Sequence, residues 1–247
     1  EIHERLVGSE MCIRDRSMLL AIDTSSFVLS CALAEKDKLV AEWTVQKRLT
    51  HSEQLIPHMD EILKDAGVDQ KEITAIAAAK GPGSFTGLRI GLATAKTAAY
   101  IWKVPLIGVD TLEALVWNLV GARAFILPLL DAQRGNVYAA MYGSFDEIWQ
   151  EAPAEAASID EVVKAAASHG GPILAVGEGA EMYREKLLAE GIQVAPPHNC
   201  CARASSVAMA AFVRWEKGQI DDPLQLMPNY IRRSEAEVLW EKLHGMN

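Results

Sequence analysis

The chain has 247 residues, 50% of them hydrophobic and 23% charged, a balance that suits one or two globular domains and excludes a disordered polymer. No apolar run approaches the roughly 20 residues of a membrane-crossing helix, so no membrane partner is expected. Thirty-three acidic against 24 basic residues give a net charge of −9, which argues against stand-alone nucleic-acid binding, because phosphates need a clustered cationic surface.

Residues 1–17 carry neither a helical nor an alternating apolar period. They lack the apolar stretch of a secretory signal, and four acidic residues disfavour a mitochondrial leader. The run VGSEMCIRDR resembles a translated sequencing-adapter read-through, so residues 1–17 are expected to be a non-native leader, with the native chain starting at Met18. Cys12, Cys31, Cys200 and Cys201 show no CxxC spacing; this is reduced-compartment usage, and a cytoplasmic location is expected.

From Met18 the elements follow in order. Three strands are predicted, MLLAID, FVLSCALAE and LVAEWTVQ. Thr50 and Glu53 form a capping box opening a helix whose apolar stripe is Leu55, Met59, Ile62, Leu63 and Ala66, with a bend at Pro57 and an end at Gly67. ITAIAAAK reads as a strand buried on both faces. It runs through GPGSFTG into a helix over Leu88–Trp102, then a strand (Pro105–Val109) and a helix (Thr111–Val120). The second half starts with strands Phe125–Asp131, Asn136–Gly143 and Phe145–Glu151. A helix (Ile159–His169) capped by Ser158 follows, then a strand (Ile173–Gly177), a helix (Ala180–Glu190), a strand (Ile192–Ala195), a break at Pro196 and Pro197, and a helix over Ser205–Lys217.

Both halves open with three strands and continue with alternating helix and strand. That order predicts an α/β chain with mixed sheets covered by helices, in two sister domains of actin-like type. The expected boundaries are 18–121, joined by the helix at 204–218, then 122–203, with a polar tail over 219–247.

The stretch from Lys80 to Arg89 is the most informative. Gly83 and Gly87 allow close backbone approach, Ser84 or Thr86 can cap the next helix, and Gly81, Gly83, Ser84, Thr86 and Arg89 are the candidate ligand-contact residues. The loop reads either as a permissive strand-to-helix turn or as a helix N-terminus that contacts a phosphate or carboxylate. It is not a Walker A loop, since Leu88 and Arg89 follow Gly87. The next helix carries Gly87, Gly91, Ala95 and Ala99, small residues at every fourth position. Gly91 costs about 1 kcal/mol against alanine inside a helix, so the strip must serve close packing, either on the chain's own sheet or on a partner's helix.

Metal-ligating patterns are absent from the sequence: there is no HxxxH or HExxH pair. His51 and His58 lie too far apart on one helix to share a zinc ion and read as exposed polar residues. Asp23, Asp110 and Asp131 each end an apolar strand and read as caps or turn residues unless two converge. Cys31 reads as core rather than nucleophile.

AIDTSS (21–26), THSEQLIPHMDEIL (50–63), KGPGSFTGLRIGLATAKTAA (80–99), VPLIGVDTLEAL (104–115), DAQRGNVY (131–138) and PNYIR (228–232) together resemble the TsaB (YeaZ) family. The resemblance implies a two-domain actin-like (ASKHA, ribonuclease H-like) fold. It also implies a non-catalytic subunit that pairs with TsaD and activates threonylcarbamoyl transfer to N6 of the adenosine beside the anticodon. TsaD carries a His-x-x-x-His pair where this chain has Thr111 and Leu115, so no metal site is expected here, and a metalloprotease is disfavoured. Pairing through the first two helices of the N-terminal domain maps onto Leu55, Met59, Ile62, Gly87, Gly91, Ala95 and Ala99. For the free chain the sequence leaves monomer and homodimer open, a homodimer using the same helix face. TsaE, an ATPase, is the expected second partner, and tRNA is met only through the complex. ATP and threonylcarbamoyl-AMP are used by that complex, and no cofactor is assigned to this chain. Asn136 stands where the family's DAQRGNVY-type turn usually has an acidic residue. The competing reading is an independent actin-like ATPase or kinase with nucleotide between its domains.

Overall fold

The strand Met18–Asp23 (β1) is apolar at five of six positions and buried at all six, which fits only the centre of a sheet covered on both faces. The computed structural model describes residues 17–46 and 51–231. The leader at 1–16, the Thr50 half of the capping box, and the tail from Arg232 lie outside the described residues. β1 pairs antiparallel with Val28–Glu35 (β2), which pairs antiparallel with Lys38–Gln46 (β3). On its other side β1 runs parallel to Ile73–Gly81 (β4), and β4 runs parallel to Leu106–Asp110 (β5).

The second sheet repeats this plan. Ala124–Asp131 (β6), Asn136–Ser144 (β7) and Ile148–Ser158 (β8) form an antiparallel meander. Ile173–Val176 (β9) and Gln193–Val194 (β10) add in parallel beside β6. The orders β3-β2-β1-β4-β5 and β8-β7-β6-β9-β10 are therefore the same. Two mixed five-stranded sheets flanked by helices, each with one order, are the actin-like arrangement expected from the sequence.

Helices His51–Ala66 (α1) and Phe85–Trp102 (α2) cover one face of the first sheet. Helix Ala204–Glu216 (α8) covers the other, through Ala204, Val207, Ala208, Ala211 and Phe212. Thr111–Trp117 (α3) is buried from both sides: Ala114 joins the first lobe's core, while Leu112, Leu115 and Val116 pack on Ile126, Leu130 and Val176. Ile159–His169 (α4) packs on the second sheet, opened by a capping box between Ser158 and Glu161. Among the described residues no helix is long and apolar enough to cross a membrane.

Several boundaries differ from the sequence reading for identifiable reasons. α2 starts at Phe85, three residues early, because the Ser84 hydroxyl accepts from Gly87 N–H before the apolar period begins. α3 stops at Trp117 rather than Val120, since the Asn118 side chain is taken by distant backbone. β8 covers 148–158 rather than 145–151, because Phe145 N–H bonds Glu147 O in a turn and the strand is a largely exposed edge without apolar alternation. Its Pro153 is tolerated at an edge. The helix expected over 180–190 is two, Glu178–Met182 (α5) and Arg184–Ala189 (α6), broken at Tyr183. A short helix, Pro197–Cys200 (α7), forms where only a break was expected, its proline in the first turn needing no N–H partner.

Candidate functional site

The turn after β1 and the loop after β4 meet at the base of the cleft between the two sheets. Ser84 N–H donates to Ser25 O at 2.7 Å, and Thr24 Oγ1 donates to Gly87 O at 2.8 Å. A Cβ on Gly83 would overlap Ser25 O, one on Gly87 would overlap Thr24 O, and one on Gly91 would overlap Thr24 Oγ1. The glycines thus admit the chain's own turn rather than a ligand.

The small-residue strip is corrected accordingly. Gly87, Gly91, Ala95 and Ala99 are buried against the chain's own sheet and turn, not presented to a partner. Leu55, Met59 and Ile62 are likewise core residues. Spacing identified a close-packed face but not which neighbour it packs against. The outward side of the same two helices instead carries Ile56, Tyr100 and Ile101, each more than 60% exposed.

Of the candidate ligand-contact residues, Gly83, Ser84 and Thr86 line a cleft of about 400 Å³ between the lobes. Gly81 does not: its Cα is covered by Asn229, whose carbonyl oxygen would lie 2.6 Å from an added Cβ. Arg89 stacks over the Phe85 ring at 3.9 Å and donates from Nε to the Tyr230 hydroxyl at 3.1 Å. Both therefore serve the segment 219–231, read from sequence as a mere polar tail. That segment is a strap. Asp221 N–H bonds Leu106 O, its carboxylate accepts from Gly108 N–H at 2.8 Å, and Lys96 Nζ donates to Leu226 O at 3.0 Å. Asn229 ends it, donating from its backbone to Lys80 O at 2.6 Å and from its amide to Asp110 at 3.2 Å.

The cleft's second wall comes from the other sheet. Asp131 accepts from Gln133 N–H at 2.8 Å in a turn where Gln133 and Arg134 both take left-handed backbone. Asn136, the position that departs from the family pattern, closes this turn through Gln133 O. Glu178 lines the cleft beside Asp131. Burial raises its carboxyl above the ordinary range; the Asp131 N–H offsets this, and the Asp131 and Asp23 charges add to it. Asp23 lies behind, fully buried: Oδ1 accepts from Ser25 N–H and Oγ, while Oδ2 has no partner among the described residues. Burial raises its pKa against those two bonds.

Asp131 and Glu178 thus converge, with Asp23 close by, whereas Asp110 caps α3 apart from them. Glu178 escaped the sequence reading, although its place after an apolar strand matches that of Asp23. Among the described residues the charged side chains lining the cleft are Asp131 and Glu178, both acidic. Among the described residues no three His, Cys, Asp or Glu side chains gather as a metal site.

Thr111 is 0% exposed, and Leu115, 1% exposed, packs in the interlobe core. Cys31 is buried, its thiol pushed up to about 12 by desolvation, so it is no nucleophile. His58 is not the exposed residue expected: its ring stacks on Trp43 at 3.5 Å and bonds Glu61. His51 is half-buried, and that burial lowers its pKa.

A family model described as "TsaD: tRNA N6-adenosine threonylcarbamoyltransferase" matches residues 45–240. The chain is 33% identical to tRNA threonylcarbamoyladenosine biosynthesis protein TsaB of Bacillus subtilis (strain 168), covering 90% of this chain and 97% of that protein. It is 30% identical to the TsaB of Escherichia coli (strain K12), over 92% and 98%. YeaZ from Pseudomonas aeruginosa superposes with a TM-score of 0.74 at 24% identity, over 87% of this chain and 99% of that one, which establishes the shared fold. The chain belongs to the TsaB (YeaZ) family, within the wider group that the TsaD model describes, and so to the proteins of tRNA threonylcarbamoyladenosine biosynthesis.

Proposed function

We propose that this chain is a non-catalytic subunit that pairs with a TsaD protein and supports threonylcarbamoyl transfer to tRNA. The observation that carries the reading is the burial of Thr111 and Leu115. At the positions where the resemblance puts two metal-binding histidines, this chain has a buried hydroxyl and a leucine packed in the interlobe core. Neither is a ligand for a borderline metal ion, and neither faces the cleft.

The pairing surface is the outward side of α1 and α2. Ile56, Tyr100 and Ile101 are exposed there, and Ala93 and Thr97 leave room on α2 for another helix to approach. Large apolar side chains held on rigid helices are suited to anchor an interface. In the free chain the same face would pair with a second copy. TsaE would engage the assembled pair, which uses ATP and threonylcarbamoyl-AMP, and tRNA would be bound by the assembly rather than by this acidic chain.

The test is co-purification with the TsaD of the same organism, followed by a transfer assay on unmodified tRNA. A stable heterodimer whose activity needs both chains is expected. Modification by this chain alone, or no complex at micromolar concentration, would overturn the reading. The rival ATPase or kinase reading predicts micromolar Mg·ATP binding with turnover by the isolated chain.

A further inference from the structure

Among the described residues the backbone crosses between the two lobes twice. The first crossing leaves α3 and runs through Asn118–Arg123 into β6; the second leaves α7 and runs through Cys201–Arg203 into α8. One side chain touches both. Asn118 donates from Nδ2 to Asn199 O at 2.7 Å and to Cys201 O at 2.9 Å, and its Oδ1 accepts from Ser206 Oγ at 2.5 Å. Both amide hydrogens and one acceptor site are therefore engaged. An aspartate lacks the two donors, and a leucine has neither donor nor acceptor.

The surroundings leave this residue little freedom. Ser206 is buried in the first turn of α8. That helix start is bolted to the first sheet by Glu42, which accepts from Ser205 N–H, Ser205 Oγ and Arg203, and by Ser30 Oγ, which accepts from Ala204 N–H at 2.9 Å. On the other side, Leu112, Leu115 and Val116 of α3 fill the space up to Ile126, Leu130 and Val176. Asn118 thus ties the second crossing to the first, at the place where any hinge between the lobes would turn.

We propose that Asn118 is a hinge lock: it holds both crossings in one geometry, so the two lobes behave as one rigid body and the cleft keeps a fixed width. Chains that close two lobes around a ligand need hinge residues free to change their backbone angles. Here Asn118 clamps the hinge backbone with hydrogen bonds in a partly buried setting, where losing them leaves partly buried carbonyls unpaired. This holds independently of the partner role, since it concerns the isolated chain.

The experiment places spin labels on two exposed helical positions away from the α1–α2 face, Val213 on α8 and Lys164 on α4, one in each lobe, with the labelled chain diluted in unlabelled chain so that only distances within one chain are read. Cys12 and Cys201 are replaced by serine, while buried Cys31 and Cys200 stay. Pulsed dipolar spectroscopy should give a single narrow distance distribution, and Asn118→Ala should add a second population at a different distance. If Asn118→Ala does not fold, Ser206→Ala, which removes one of the three bonds, carries the same readout and should broaden the distribution. A broad distribution in the unmodified lock, or an unchanged narrow one in the folded Asn118→Ala chain (or in Ser206→Ala where that variant stands in), would overturn the proposal.

Discussion

Thr24 and Gly91 interlock: the threonine hydroxyl, while donating to Gly87 O, occupies the space that a side chain on Gly91 would need. The first turn of one sheet and the second helix covering it are thereby keyed together. Gly91→Ala should destabilise the chain by about 1–3 kcal/mol, the range for overpacking a filled core. That is a fall in melting temperature of roughly 2–4 °C per kcal/mol for a chain of this size. Thr24→Ala removes the obstructing oxygen, so the double variant should be more stable than the two single losses predict. Strict additivity in thermal melts would show that the two residues do not share this space.

The pairing surface is testable apart from stability. Tyr100→Asp and Ile56→Asp each put a charge on an exposed position, so their melting temperatures should match the parent within about 2 °C. If the outward faces of α1 and α2 receive TsaD, each should weaken the heterodimer by tenfold or more, roughly 1.4 kcal/mol. Titration calorimetry with purified TsaD reads both outcomes. Unchanged affinity in both variants would move the interface elsewhere.

Where the sequence was legible, burial and capping left local marks. The largely apolar MLLAID and ITAIAAAK announce central strands, and Ser158 with Glu161 announces a helix start. The repeated strand-strand-strand opening likewise anticipated two sheets of one order. What could not be read was direction and distance. The strip from Gly87 to Ala99 said that something packs closely, but Thr24, sixty-odd residues away in the chain, is what does. The strap from Asp221 to Asn229 bonds backbone groups more than a hundred positions earlier, and its own residues show no period. Exposed β8 lacked the alternation that marks a half-buried strand.

Glu42 provides another long-range contact with a measurable consequence. Arg203, at the N-cap of α8, makes no side-chain cap of its own, and Glu42 from β3 supplies the missing acceptor to Ser205 N–H at 3.1 Å and to its hydroxyl at 2.6 Å. Its other oxygen pairs with Arg203 at 2.6 Å, with the carboxylate side chain only 9% exposed. A carboxylate at a helix N-terminus satisfies orphan donors and meets the positive end of the helix dipole. Glu42→Ala should cost about 2–4 kcal/mol by leaving Arg203 and Ser205 unpaired. Glu42→Gln should cost less, because it keeps one acceptor. Equal losses in chemical denaturation would mean that charge, not hydrogen bonding, holds this end of α8.

The buried carboxyls set the sign of the pH dependence. Burial raises the pKa of Asp23, Asp110 and Glu178 above their ordinary values of 3.8, 3.8 and 4.5. Between those values and the raised ones the folded chain binds more protons than the unfolded chain, so stability falls as pH rises through that window. These three groups should therefore make the melting temperature fall as pH rises above about 4 through their raised values, against the opposite contributions of Glu161 and His51, whose pKa values are lowered. Asp23 makes the cleanest test, because its Oδ2 is buried without a partner among the described residues while Oδ1 alone serves Ser25. Asp23→Asn retains the acceptor for Ser25 and removes the charge. It should raise the melting temperature at neutral pH, leave it nearly unchanged at pH 4, and flatten the slope between them. A variant that melts lower than the parent at neutral pH would show that the ionised carboxylate is stabilised where it sits, by a cation or donor drawn into the cleft beside Glu178.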